Sequence, residues 1–173
     1  HQKYFAILDA EGAVTNRFIT IANLAAKDGG KQIIAGNERV LKARLEDGAF
    51  YYEQDRKKPL HHWAEGLESM LFHKSLGTVA EKVRRIATLS GCFAVFVPRA
   101  DIMQVERAAT LCKADLTTGM VGEFPELQGV MGRYYALAAG EDAAVADAIR
   151  DHYKPASGGD DVPEGSVAIA VSR

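Results

Sequence analysis

The stretch that decides the fold is Lys113-Ala-Asp-Leu-Thr-Thr-Gly-Met-Val-Gly-Glu-Phe-Pro-Glu-Leu-Gln-Gly-Val-Met-Gly-Arg-Tyr-Tyr135. It places Gly119, Gly122, Gly129 and Gly132 around a Phe124-Pro125 step. Gly119 and Gly122 suit a helix end followed by a tight turn. Phe124 precedes a proline and is steered away from α geometry, so a new helix is predicted to begin near Pro125 or Glu126. That helix would carry Leu127, Val130, Met131 and Tyr134 on one face, at helical spacing. Gly129 and Gly132 would lie inside it. Each costs about 1 kcal/mol against Ala, which close approach of another backbone would offset.

Working outward, Pro98 is read as starting the preceding helix, with Ile102, Val105, Ala109 and Cys112 facing inward and Lys113 and Asp115 near its end. On the C-terminal side Asp142 caps a helix with Val145, Ala148, Ile149 and His152 on one side. Tyr153 to Gly165 is a Pro-, Gly- and Asp-rich loop, and Ser166 to Val171 opens another element.

Upstream, Thr78-Val-Ala-Glu81 is a capping box. It opens a helix that buries Val83, Ile86 and either Leu89 or Ser90, and stops at Gly91. Cys92 to Val97 is apolar, and periodicity does not decide between helix and strand there. Leu60, Trp63, Leu67, Met70 and Leu71 fit a short amphipathic helix. Adjacent His61 and His62 point about 100° apart on a helix and do not clamp one metal. Asn37 is read as an N-cap. The helix it opens carries Leu41, Leu45, Ala49 and Tyr52 as an apolar stripe and is limited by Pro59. Residues 3–8 and 18–24 are β-branched and aromatic and read as hairpin strands, with Asp9 to Gly12 and Thr15-Asn16 between them. Two strands alone are marginal, so they are expected to pair with a sheet of an upstream domain. Lys27 to Gly30 is a loop. The resulting fold class is mainly α: a helical domain over residues 36–173 after a β-rich end of an upstream domain at residues 1–35.

The chain has 173 residues, 47% hydrophobic and 25% charged, with a formal net charge of −2. That composition belongs to a globular domain able to bury a core. It argues against a protein that coats nucleic acid non-specifically, while leaving room for a local basic face. No apolar run approaches the roughly 20 residues of a membrane helix. Cys92 and Cys112 sit in apolar sequence without a CxxC partner, and read as buried free thiols in a reducing cytoplasm. The chain starts with His, not Met, and its last helical pattern is cut off, so it reads as an internal piece of a longer protein.

Basic residues gather in two places. Lys74, Lys82, Arg84 and Arg85 form the densest cluster, and Arg56-Lys57-Lys58 forms an edge mixed with acids. The bland reading of that edge is a solvated helix face; the functional one is phosphate contact. No phosphate-cradling loop, nucleophile elbow or HExxH motif is present.

The string KADLTTGMVGEFPELQGVMGRYYALAAGED (113–142), with GNERVLKARL (36–45), DRKKPL (55–60) and KSLGT (74–78), resembles the β subunit of bacterial two-subunit glycyl-tRNA synthetases over essentially the whole chain. The resemblance implies a cytoplasmic aminoacyl-tRNA synthetase of α2β2 form. Its α subunit would bind ATP with Mg and carry the catalytic centre, and this region would bring no cofactor. Its β subunit would bind tRNA(Gly). Neither a membrane nor DNA is an expected partner. Candidate tRNA contacts are Arg56, Lys57, Lys58, Lys74, Lys82, Arg84, Arg85 and Arg133.

The helical part also resembles a degenerate HD-type bundle. In active HD hydrolases a His, a His-Asp doublet and a later Asp hold the metal that activates water. By position His73 would be the first ligand, and Ala114-Asp115 would replace the doublet. Ala114 carries no ligand, so catalysis here is not expected, and Asp115 would pair with backbone or with Arg133 while His73 ends a helix. Two competing readings remain: a metal-dependent HD-type phosphohydrolase, and a structural spacer that docks on other domains.

Overall fold

A buried carboxylate pays a large desolvation cost unless several donors meet it. Two such groups organise this protein, whose computed structural model describes residues 4–172. The chain divides into two compact units, one ending at Ala49 and one starting at Phe50. That division falls inside a helix, not at the 35/36 boundary read from the sequence.

In the first unit, β1 (Tyr4–Leu8) and β2 (Val14–Thr20) pair antiparallel, with Phe5 opposite Ile19 and a register slip between Ala6 and Leu8. The Asp9 carboxylate makes the turn by accepting from the Glu11 and Ala13 amides. Thr15 and Asn16, expected in the turn, lie in β2, where the Thr15 hydroxyl donates to the Ile7 carbonyl at 2.8 Å. The strand ends at Thr20, short of the expected Leu24. Lys3, also assigned to the first strand, lies outside the described residues.

α1 (Lys31–Asp55) starts seven residues earlier than predicted. Its first turn is organised by Asp28, which accepts from the Gly30 and Gln32 amides. Asn37, expected to cap, sits mid-helix. Its amide donates back to the Ile33 carbonyl at 2.8 Å, and its oxygen accepts from the Tyr4 hydroxyl. Of the predicted apolar stripe, Leu45 and Ala49 are exposed, while Leu41 and Tyr52 are partly buried.

The second unit is helical, and its buried centre is built from Leu60, Val105, Leu111, Cys112, Met131, Tyr135, Ile149 and Val167. The predicted helix over 60–71 breaks up. α2 (Leu60–Ala64) passes into a 3₁₀ turn (Glu65–Glu68), then into a small hairpin of β3 (Leu71–His73) and β4 (Gly77–Thr78). Leu71 is thus an exposed strand residue. α3 (Val79–Ala94) is opened by the full capping box: Thr78 Oγ1 accepts from the Glu81 amide, and Glu81 accepts from the Thr78 amide at 2.7 Å. It runs through Gly91, which keeps a negative φ and so forms no left-handed helix end. Ser90 is buried and Leu89 is exposed.

α4 (Ile102–Leu111) begins not at Pro98 but after Asp101, whose carboxylate accepts from the Met103 and Gln104 amides. Ile102 is consequently half exposed. Cys112 is buried, whereas Cys92 is exposed, contrary to its apolar sequence surroundings.

The decisive stretch folds into shorter pieces than its pattern suggested: a 3₁₀ turn (Ala114–Thr117), α5 (Gly119–Glu123), a 3₁₀ turn (Pro125–Leu127) and α6 (Val130–Ala138). Gly119 therefore starts a helix instead of following one. The reason is Asp55, 3% exposed at the end of α1. Its carboxylate accepts from the Gly119 amide at 3.0 Å, the Met120 amide at 2.8 Å and the Tyr135 hydroxyl at 2.9 Å. A Cβ at Gly119 would lie 2.7 Å from the Tyr51 ring, so only glycine lets α5 begin there. The buried face of α6 is Met131, Gly132, Tyr135 and Ala136, not the predicted Val130 and Tyr134 face. α7 (Ala143–Asp151), capped by Asp142, and α8 (Ser166–Val171) complete the core as expected.

Asp55→Ala removes the acceptor from three buried donors, and we predict a loss of about 3 kcal/mol or more in urea unfolding. Tyr135→Phe should cost about 1 kcal/mol alone and close to nothing in the Asp55→Ala background.

Candidate nucleic-acid interface

The expected basic cluster is assembled by the β3–β4 hairpin lying against the first turns of α3. Lys74 sits exposed in the hairpin turn. Lys82 places its ammonium 4.2 Å from the centre of the Phe72 ring, and the Arg85 guanidinium donates to the Leu76 carbonyl at 3.0 Å. Arg84 is different: it is salt-bridged to Glu68. The Glu81 carboxyl is held below its ordinary range by the Thr78 amide it accepts from. Lys74 and Arg85 are thus exposed and Lys82 half-buried at one basic corner, with Lys82 against the Phe72 ring and Arg85 on the Leu76 carbonyl and near the Glu81 charge.

The Arg56–Lys58 edge is more heavily engaged. Arg56 pairs with Glu53 at 3.5 Å, Lys57 donates to the Gln54 side chain at 2.8 Å, and Lys58 donates to His62 Nε2 at 3.1 Å. Arg133, on α6, donates to Asp147 at 2.6 Å, and Asp147 also meets Arg150 at 3.6 Å. Arg56, Arg84 and Arg133 thus pair with carboxylates, and Arg85 lies near the Glu81 charge.

The positions compared with an HD centre are not brought together. His73 is in strand β3, not at a helix end; it is exposed, and its Nδ1 accepts from the Ser75 amide at 3.1 Å. Asp115 is fully buried. Its Oδ2 accepts from the Gly129 amide at 2.6 Å and the Gly132 amide at 3.1 Å, so it holds the start of α6. Pairing with backbone is therefore correct and pairing with Arg133 is not. The side-chain-free Gly132 is required here: a Cβ would lie 2.7 Å from Ile149 Cγ2 and 3.0 Å from Asp115 Oδ2. The close neighbours are side chains, not the backbone anticipated. Gly129, at φ 78°, turns the chain into α6 with the Tyr153 ring and the Arg150 carbonyl pressed against it. Among the described residues no cluster of three or more His, Cys, Asp or Glu could hold a metal ion.

Sequence reasoning missed Asp55 as a buried group and left Tyr135 off the buried face. Their partners lie 64 to 80 residues away, and no local pattern marks such a contact. Lys113 and His152 were missed as a pair for the same reason; both are buried and line one cavity.

A sequence model of the family described as "Glycyl-tRNA synthetase beta subunit" matches residues 1–173. The chain is 47% identical over 173 residues to the "Glycine--tRNA ligase beta subunit" of Delftia acidovorans, covering 99% of this chain and 24% of that protein. It is 51% identical over 176 residues to the protein of that name from Phenylobacterium zucineum, covering 99% and 26%. The protein of that name from Neisseria meningitidis serogroup C is 47% identical over 172 residues, covering 99% and 25%. The chain therefore spans about a quarter of the length of these curated relatives.

Burial pushes the Asp115 carboxyl up to about 6, against the pull of the Gly129 and Gly132 amides and of Lys113. Unfolded, it titrates near 4. The protonated form is thus favoured by folding, and the stability it brings is present below pH 4 and is lost as pH rises from about 4 through 6. We predict that, relative to Asp115→Asn, the wild type loses up to about 3 kcal/mol between pH 4 and pH 7.5, read from urea midpoints.

Proposed function

Because the chain belongs to the glycyl-tRNA synthetase beta subunit family, we propose that it is a non-catalytic region of a glycine–tRNA ligase. In this reading it helps bind tRNA(Gly) and helps assemble the β subunit with its α partner. ATP and Mg act at the α subunit of a cytoplasmic α2β2 enzyme. The observation that carries the RNA part is the basic corner of Lys74 in the β3–β4 hairpin turn with Lys82 and Arg85 on the first turns of α3.

Such a corner neutralises phosphates and positions an RNA without reading its bases. The Lys57–Lys58 edge is a second, weaker contact. A degenerate HD-type origin of the helical unit fits the helix-rich architecture and the commitment of Asp115 to backbone amides. Hydrolase chemistry at His73 and Asp115 finds no support, because one is exposed on a strand and the other is consumed inside the core. Assembly contacts fit the apolar side chains left exposed on the second unit, such as Phe93, Phe96 and Met103.

The test is a filter-binding titration of the intact two-subunit enzyme with tRNA(Gly). Lys74→Glu/Arg85→Glu should weaken binding about 10-fold or more and reduce the salt slope by about 2, while glycyl-adenylate formation is unchanged. Unaltered affinity and slope would remove this corner from the interface.

A further inference from the structure

α3 carries two apolar lines. Val79, Val83 and Ala94 are buried in the core of the second unit. Ile86, Leu89 and Phe93 form a second line, three and four residues apart, and so share one side of the helix. Leu89 and Phe93 are 56% and 57% exposed, and Ile86 is half-buried. This second line walls a cavity of about 250 Å³ whose other apolar wall is Ala170 and Val171 of α8. Lys82, buried Lys113 and His152, and two serines complete the lining. Phe96, 79% exposed in the turn after α3, extends the apolar surface beyond the helix.

Charge on α3 is confined to its first turns, from Glu81 to Arg85. Lys82 stands one turn before Ile86 on the same line. Residues 86–98 then carry no charged side chain. An RNA strand needs cations along its track, so the later turns of α3 suit a different occupant. A straight line of aliphatic and aromatic side chains at helical spacing, bordering a groove, is the surface on which an amphipathic helix lies. From Lys82 to Phe93 the line runs about 16 Å, the length of a helix of about three turns. The charge at its start is complementary to a partner that brings a carboxylate to that end and apolar side chains to the rest. Aromatic and aliphatic anchors seated in such a groove carry most of the energy of a protein interface.

We propose that the groove between α3 and α8 receives an amphipathic helix of the α subunit. That helix lies along Ile86, Leu89 and Phe93 and places a carboxylate at the Lys82 end. This rests on the assembly reading above, and gives that reading a face and a partner of stated chemistry.

The experiment is isothermal titration of the full-length β subunit with the α subunit, alongside thermal melts of β alone and tRNA(Gly) binding by the intact enzyme. Leu89→Glu/Phe93→Glu sets two carboxylates on exposed positions of the line. It should weaken α–β association at least tenfold and leave the melt of β alone and tRNA binding unchanged. Lys82→Gln should weaken association several-fold, and Lys74→Glu should leave it intact. Amide exchange in α3 and α8 should slow when α is added to β. Undiminished association of Leu89→Glu/Phe93→Glu would overturn the assignment. A lower melting temperature of that variant β alone would overturn it too, because the groove would then be filled by β's own polypeptide. So would loss of tRNA binding with association intact, which assigns the face to RNA. Exchange that slows elsewhere in residues 50–172 but not in α3 and α8 removes this face and keeps the assembly reading; exchange that slows nowhere in those residues removes both.

Discussion

The Asp55 carboxylate, buried at the end of α1, accepts from the Gly119 and Met120 amides and the Tyr135 hydroxyl. Its main-chain carbonyl also accepts from the Trp63 indole at 3.2 Å. One residue therefore joins the end of a long helix to the start of α5, the middle of α6 and the side of α2. A charge in that position is tolerated because three donors replace the water it lost, and it favours the N-terminus of α5, where amides are otherwise orphaned. Remove the donors and the charge is expelled; remove the charge and three donors are stranded. Burial and the bond to Asp55 together push the Tyr135 hydroxyl well above its ordinary range, so it remains a donor.

Asp115 repeats the device one helix later, holding α6 by the Gly129 and Gly132 amides with Gly132 kept bare to admit the carboxylate. Both of these bonds fall on Asp115 Oδ2 inside a packed core, whereas His73, the other position compared with an HD centre, is exposed on β3. Outside the core lie the basic residues of the β3–β4 hairpin and the first turns of α3, and a cavity beside α8. Several arginines of this unit pair with acids: Arg84 with Glu68, Arg107 with Glu141, Arg133 with Asp147 and Arg150 with Asp151.

Local rules were legible where the partner is local. The Thr78–Glu81 box, the Asp142 cap, the inward face of α7 and the loop before α8 follow from residues within a few positions of one another. They failed where a distant side chain decides. Gly119 resembles a helix stop until Asp55 supplies its missing acceptor. Asn37 resembles a cap until Asp28 captures the first turn of α1 and Tyr4 engages Asn37. Leu71 continues a helical stripe by spacing, yet Met70 and Val79 close the small hairpin by a carbonyl–amide bond of 2.8 Å. Among candidate site residues, charge clustering along α3 was readable. Which arginines are neutralised was not, because Glu68 and Asp147 reach them across 16 and 14 residues.

Native-state amide hydrogen exchange, resolved by residue, tests the claim that buried carboxylates hold the starts of α5 and α6. The Gly119, Met120, Gly129 and Gly132 amides lie in first turns, where helices provide no internal acceptor and exchange is ordinarily fast. The account predicts that these amides exchange as slowly as those of the core helix α4. Exchange at the rate of the exposed loop after α7 would contradict it.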